Sequence, residues 1–513
     1  NTRRQERLVW QASGQIVRNL NNVENYENFQ GLDDFLEQRR YQGAYADLSF
    51  DYRDFVFLNL TGRNDWTSTL PKGENSYFYG GASASVIFTE AFNLNSRVLN
   101  FGKVRLSYAR TGNDTDAYLT QPLVYNTNDN SFVSRLGGGV SFPLGSGNAQ
   151  SVGNRLGNSA LTPEFTTEYE IGAELNFFNN RIRLDAAYYY RSSKDQIVEI
   201  DLPRSTGFDQ FVTNIGEVTN EGIEIGLGAI PVQNGSFKWD LFTTFTRNVN
   251  RVESLVDGLD DIGVSGFTDI GIRHFSGQEF GLIYGSVAAR HTDGRLLVDP
   301  ATGKLIDGGL DVIGNPNPDW IASIINTISW KGISLNFLLD YRHGGDMFSG
   351  TYNQMYGRGV TTGTIPDNPR GRQITVVIPG VVGDPTTGEA VLGGDGNVII
   401  NGTQLTVNDW YFINTFGSAG YEEFSVFDAS TIRLREISLS YHLPESLLTK
   451  TPFGSASLTL VGRNLWFDAV NFPDDLNFDP EVSGVGVGTG TQGLDFGNVP
   501  TRKSYGASLR FTF

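Results

Sequence analysis

The last ten residues, SYGASLRFTF (504–513), place Tyr505, Ala507, Leu509, Phe511 and Phe513 at every second position, with Ser504, Gly506, Ser508, Arg510 and Thr512 between them. Successive side chains of a β-strand point to opposite faces, so a period of two predicts a strand with one apolar and one polar face. The pattern recurs along the chain. GISLNFLLDYR sets Ile333, Leu335, Phe337, Leu339 and Tyr341 against Ser334, Asn336, Asp340 and Arg342. RIRLDAAYYYR sets Ile182, Leu184, Ala186, Tyr188 and Tyr190 against Arg181, Arg183, Asp185 and Arg191. EYEIGAELNFF sets Tyr169, Ile171, Ala173, Leu175 and Phe177 against Glu168, Glu170, Glu174 and Asn176, and KVRLSYAR and EGIEIGLGAI follow suit. One stretch changes phase: TIRLREISLSYHLP runs Ile432, Leu434, then Ile437, Leu439, Tyr441, which predicts a β-bulge near Arg435–Glu436.

Strands are predicted near 7–19, 42–51, 53–63, 76–89, 101–111, 165–178, 181–199, 213–229, 236–250, 320–330, 332–346, 429–443, 454–467 and 502–513, about fourteen in all. Between the first two predicted strands the polar stretch NLNNVENYENFQGLDDFLEQRR (19–40) reads as a connector. Alternation alone would also suit a half-exposed sheet in a soluble sandwich. The connections decide between them. Short turns (DYRD, the Asn179–Asn180 pair, PVQNGSF, WKG, PESLLTKTP) alternate with long loops at about 112–164, 251–319, 347–428 and 468–501. Short turns on one side and long loops on the other are the habit of a transmembrane barrel, with short periplasmic turns and long extracellular loops. The fold class expected is therefore all-β: a transmembrane antiparallel β-barrel wall running from 1 to 513. The last strand then ends in the periplasm at Phe513, its Tyr505–Phe513 face toward lipid and Arg510 toward the water-filled inside. A separate domain needs about 50 residues, so the first forty are not expected to form a plug.

Composition narrows the functional classes. With no cysteine, disulfides, thiolate metal sites and cysteine nucleophiles are excluded. His274, His291, His343 and His442 are scattered, so no metal or cofactor site is expected. Asp340 and His343, three apart on a strand, point to opposite faces, and no Gly-x-Ser-x-Gly elbow occurs; an enzyme is not expected. Aromatics reach 12 % with 61 glycines, which suits strands and turns. The formal charge of −18 argues against a nucleic-acid partner. No run approaches the roughly 18 apolar residues of a membrane helix, and NTRRQERLVW has no apolar core of a signal peptide, but strands need only about 9–11 residues each to cross.

Several segments carry a family resemblance: GKVRLSYARTGN (102–113), GNSALTPEFTTEYEIGAELNFFNNRIRLDAAYYY (157–190), NIGEVTNEGIEIGLGA (214–229), IGNPNPDW (313–320), DASTIRLREISLSYHLP (428–444), GRNLWF (462–467) and NFDPE (477–481), preceded by RNDWTSTL (63–70) and FTEAF (88–92). Together they resemble the C-terminal barrel region of SusC/RagA-type TonB-dependent outer-membrane transporters of Bacteroidota. The resemblance implies a Gram-negative outer-membrane protein whose full barrel has 22 strands around an N-terminal plug. It further implies a SusD-like surface lipoprotein as lid and uptake of a glycan or peptide substrate driven by the TonB complex acting on the plug. Fourteen strands without plug or TonB-contacting segment read as the C-terminal portion, the plug and remaining strands being partners. The aromatic end at Phe513 resembles the signal read by the outer-membrane assembly machinery. Two other readings stay open: a passive fourteen-strand porin, and a scaffold for secretion or adhesion partners.

The charges expected on the polar, lumen- or plug-facing side are Glu168, Glu170, Glu174, Arg181, Arg183, Asp185, Asp340, Arg342 and Arg510. They read first as the cross-paired wall of any water-filled barrel, and beyond that as contacts holding a plug. For substrate, the aromatic stretches MFSGTYNQMYGRG and VNDWYFINTF point to Phe348, Tyr352, Tyr356, Trp410, Tyr411 and Phe412, rings that stack on sugars or clamp peptides, or else pack the loop or meet a lid protein. Asn214, Gly216, Asn220 and Gly222 look like a phosphate cradle, but a strand follows where a helix is needed. Asp479 and Glu481 of NFDPE lack the dense oxygen spacing of a calcium loop. VDPATGKL at Asp299 and GDPTTGEAV at Asp384 read as matching tight turns.

Overall fold

The computed structural model describes residues 2–15, 26–94, 96–126, 150–256, 258–267, 269–364, 375–417, 420–473, 479–482, 492–499 and 501–512. One large sheet runs through it. Its strands are β1 (Thr2–Gln15), β2 (Tyr26–Tyr52), β3 (Val56–Thr67), β4 (Ser76–Ile87), β5 (Leu99–Asn113), β6 (Glu164–Phe177), β7 (Ile182–Asp201), β8 (Gln210–Asn234), β9 (Phe237–Ser254), β10 (Trp320–Trp330), β11 (Ile333–His343), β12 (Thr431–His442), β13 (Ser455–Ala469) and β14 (Ser504–Thr512). Each is hydrogen-bonded to its neighbours in chain order, and the two-residue strand Arg155–Leu156 joins the sheet off this path, pairing parallel with Gln210 and Phe211 of β8. Each matches one of the strands predicted from the period-two pattern. The bulge expected near Arg435–Glu436 is present, since Leu434 pairs with Trp466 and Glu436 with Arg463, leaving Arg435 between them.

The first connection differs from expectation. Residues 26–41 belong by hydropathy to a polar connector, yet they extend β2, which pairs with β1 from Thr2↔Arg40 to Gln15↔Tyr26. Strand pairing here is held by the backbone ladder, which hydropathy does not report.

The connections alternate as the sequence indicates. β2 and β3 are joined through Arg53 and Asp54, β6 and β7 through Phe178, Asn179 and Asn180, and β10 and β11 through Lys331 and Gly332, all with positive φ. Such left-handed residues match the twist of a tight hairpin. β12 and β13 are joined over a short helix, Glu445–Leu448. On one face of β10–β13, polar side chains bond across strands: Ser329 with Ser334 (3.0 Å), Thr327 to Asn336 (2.7 Å), Ser323 to Asp340 (2.5 Å) and Ser440 with Thr459 (2.8 Å). This is the polar face anticipated from alternation. The other face leaves large apolar side chains such as Leu439, Leu458 and Leu460 exposed, which suits contact with lipid. Among the described residues no helix is long and apolar enough to cross a membrane, which says nothing of a barrel.

The chain forms two compact units. One comprises Asn1–Ala84, Ser107–Tyr169 and Arg191–Glu217; the other comprises Ser85–Leu106, Glu170–Tyr190 and Val218–Phe513. In the first, Leu70, Tyr77, Leu119, Leu161 and Val212 form a buried cluster. In the second, the long connections carry their own sheets: an antiparallel sheet of Asp261–Gly266, Ile270–Phe275, Leu282–Ala288 and Asp307–Gly314, and smaller ones built on Leu296–Val298 with Gly380–Asp384 and on Asp346–Ser349 with Val426–Asp428. The two Asp-Pro turns have the expected form. The Asp299 carboxylate accepts from the Ala301 amide (2.9 Å) and the Thr302 hydroxyl (2.6 Å), and Asp384 accepts from the Thr386 amide (2.8 Å).

Candidate functional site

The strand period delivers charges to the polar face, and the structure shows how they pair. Arg105 donates from Nε to Glu170 (3.0 Å) and from Nη1 to Asp185 (2.7 Å). Arg183 reaches Asp240 (2.8 Å), which Lys238 also contacts (2.8 Å), and Arg191 reaches Glu168 (2.6 Å). Asp340 takes Nε and Nη2 of Arg435 at 2.9 and 2.7 Å. Arg342 donates to the Pro316 carbonyl (2.7 Å). Glu174 is half-buried, and Arg181 and Arg510 are exposed. Arg105, Asp240 and Arg435 do not stand out in the sequence as site residues, and only the pairing reveals them. Phe513 lies outside the described residues.

Two motifs converge in the first unit. Asp65 of RNDWTSTL is buried and accepts from Arg63 Nε (2.8 Å), the Tyr79 hydroxyl (2.5 Å) and the Tyr41 hydroxyl. Thr67 and Thr69 of the same motif donate to buried Asp114, which also pairs with Arg39. Asp114 directly follows the ARTGN segment, so the motifs are neighbours in space because one supplies hydroxyls and the other the carboxylate. Beside them is a cavity of about 260 Å³ lined by Arg3, Arg39, Tyr41, Tyr77, Gly112, Asn113 and Asp114. The Asn214 side chain donates to the Thr162 carbonyl (2.9 Å) and accepts from its amide (2.9 Å). It ties NIGE to ALTPEF, a structural use of the motif.

A buried ion pair dominates the second unit. Arg433 and Asp479 are both almost fully buried, joined through Nη1 (3.1 Å) and Nη2 (2.5 Å). The guanidinium lies over Phe467 (4.9 Å), and Asp479 also accepts from Thr501 and from the Glu481 amide (3.1 Å). Burial opposes the charge of Asp479, but the hydrogen bonds from Arg433 and Thr501 outweigh it and hold the carboxyl below its usual range. Glu481 bonds Arg435 Nη1 at 2.6 Å. NFDPE is thereby a clamp onto β12. Among the described residues no cluster of His, Asp or Glu is arranged to hold a metal.

The loop aromatics are brought together, mostly inward. Tyr352 and Tyr356 stack at 4.1 Å and meet Phe416 at 5.6 and 5.2 Å. Phe348 is buried with Ile270, Ile272, Ile283 and Leu494. Trp410 and Tyr411 are half-buried, each against a different cluster. The side chain of Phe412 lies outside the described residues. Phe348, Tyr352 and Tyr356 therefore pack the loops; an aromatic count cannot distinguish a ring that stacks on a ligand from one that fills a core.

A long antiparallel sheet with one polar and one apolar exposed face, its strands joined alternately by tight hairpins and long folded loops, defines an outer-membrane β-barrel wall. The chain belongs to the TonB-dependent receptor-like β-barrel family, whose model matches residues 3–367. It is 27 % identical over 507 residues to TonB-dependent receptor P26 of Formosa agariphila, covering 91 % of this chain and 46 % of that protein. It is 27 % identical over 254 residues to TonB-dependent receptor SusC of Bacteroides thetaiotaomicron, covering 46 % of this chain and 24 % of SusC. A solved structure of the RagAB peptide transporter superposes with a TM-score of 0.71 at 19 % identity, covering 97 % of this chain and 50 % of the other. The chain thus spans about half the length of the first relatives it matches.

Proposed function

We propose that this chain forms wall and extracellular loops of an active importer. Oligosaccharide or peptide cargo is received under a SusD-like surface lipoprotein, and passage is energised by TonB acting through a plug that fills the polar side of the wall. Family membership over residues 3–367 carries this reading. The paired charges on the polar face support it, as they suit a hydrated interior that another protein segment can occupy. Of the loop rings, Trp410 and Tyr411 keep some surface for cargo, while Phe348, Tyr352 and Tyr356 hold the loops in shape.

The test is uptake of labelled oligosaccharides and peptides by cells with and without the gene, before and after collapse of the proton gradient. Gene-dependent uptake that stops with the gradient supports the importer. Gene-dependent uptake indifferent to it, with open-channel conductance of the purified protein, would replace it with the porin reading.

A further inference from the structure

Beside the Asp65 network, within the first unit, lies a second cavity of about 300 Å³, lined by Tyr45, Asp47, Thr61, Arg63, Tyr79, Gly81 and Arg110 among others. Tyr45 pairs directly with Arg63 across β2 and β3, so it stands on the same polar face as Arg63 and Asp65. Its side chain is 78 % exposed. Gly81 forms the floor: a Cβ would come 2.8 Å from the Tyr108 carbonyl, so the strands approach too closely for a side chain and a hollow results. Tyr45 is eight residues before the turn at Arg53, about 26 Å along the strand at roughly 3.3 Å per residue, which places the hollow well inside the wall.

The charges in the hollow are unequal. Arg63 is neutralised by Asp65. Arg110 makes no ion pair among the described residues; its guanidinium rests on the Phe165 ring at 4.0 Å, which fixes its plane and leaves its N–H edge available. Asp47 keeps the net charge too low for a dianion. One fixed guanidinium, an exposed ring and the hydroxyls of Thr61 and Tyr79 suit a monoanion on a flat, hydroxylated or amide-bearing body.

We propose that this hollow is a binding subsite for a carboxylate carried by cargo, with Arg110 taking the carboxylate and Tyr45 stacking on the group that bears it. The proposal rests on the importer reading and adds a chemical preference to it. The test uses the full-length transporter, purified folded as judged by heat-modifiable migration. Trigalacturonate and the peptide Ala-Glu-Ala serve as acidic probes, maltotriose and Ala-Gln-Ala as neutral ones, and binding is read by calorimetry. Arg110→Gln is expected to weaken an acidic probe by about tenfold or more, leaving its neutral counterpart unchanged, with Arg110→Lys recovering part. Tyr45→Ala is expected to weaken both members of a pair. Whichever acidic probe responds identifies sugar or peptide as the source of the carboxylate. Failure of both acidic probes to bind, or an Arg110→Gln effect within about twofold, overturns the proposal. So does a Tyr45→Cys variant that a small charged maleimide cannot label in the intact transporter, since another segment of the protein would then fill the hollow. Loss of gradient-driven uptake for every cargo would instead sink the importer reading.

Discussion

Removing the carboxylate of Asp479 tests whether NFDPE is a clamp. In Asp479→Ala, Arg433 stays buried with its main partner gone. Stripping one member from a buried ion pair costs about 3–5 kcal/mol. Glu481, 3.4 Å from Arg433 Nη2, remains as a partial partner, so the low end, about 3 kcal/mol, is expected. That raises the open fraction of the loop base by about a hundredfold. Hydrogen–deuterium exchange on the full-length protein reads it, with protection lost in 479–482 and 431–435 and retained in β10. Arg433→Met with Asp479→Leu should recover most of the protection, because a well-packed apolar pair removes the stranded charge. Unchanged exchange in Asp479→Ala would refute the clamp. The pH dependence has a definite sign. Since the folded carboxyl titrates below its unfolded value, its stabilisation is complete above about pH 4 and is lost as pH falls through the folded value.

Three further outcomes are expected. His274 is buried against Phe280 (3.8 Å), its Nδ1 accepts from the Gly281 amide (3.0 Å), and burial lowers its pKa to about 4. It therefore stabilises the loop sheet fully above about pH 6.5 and loses that contribution as pH falls toward 4; protection in 261–288, taken relative to the intrinsic exchange rate at each pH, should fall across this window in the wild type and stay flat in His274→Asn. Tyr356→Ala, removing a buried ring stacked on Tyr352, should cost about 3–5 kcal/mol of loop stability, read as faster proteolysis within 344–430. Gly222→Ala would place a Cβ 2.5 Å from the Tyr189 hydroxyl and 2.6 Å from the Arg247 carbonyl, costing about 1–3 kcal/mol and lowering the temperature at which the folded band disappears on gels.

Where the chain was legible, one side chain in two reported the environment. Leu335, Phe337 and Leu339 against Ser334, Asn336 and Asp340 define β11 without tertiary knowledge, and the lost phase near Arg435–Glu436 marks a bulge that the pairing then sets at Arg435. Residues 26–41 were not legible, because a strand held by its backbone ladder needs no apolar face. Asp240, in a strand predicted near 236–250, could not be singled out because the importance of a carboxylate depends on Arg183 and Lys238, neither of which alternation marks as its partner.

The motifs show a different limit. RNDWTSTL was visible as a segment, but its meaning lies in Thr67 and Thr69 reaching Asp114, more than forty residues away. TIRLRE and NFDPE likewise meet only through Arg433 and Asp479, forty-six apart. In each case a strand residue and a residue at or beyond the base of a long connection share one buried charge. A wall of alternating strands tolerates many substitutions on either face; a loop leaving that wall must be fixed at its base, and a buried carboxylate with a specific donor does so in one register only. That is why these short segments stand out from strands of looser composition, and why their partners become identifiable only once the sheet has aligned them.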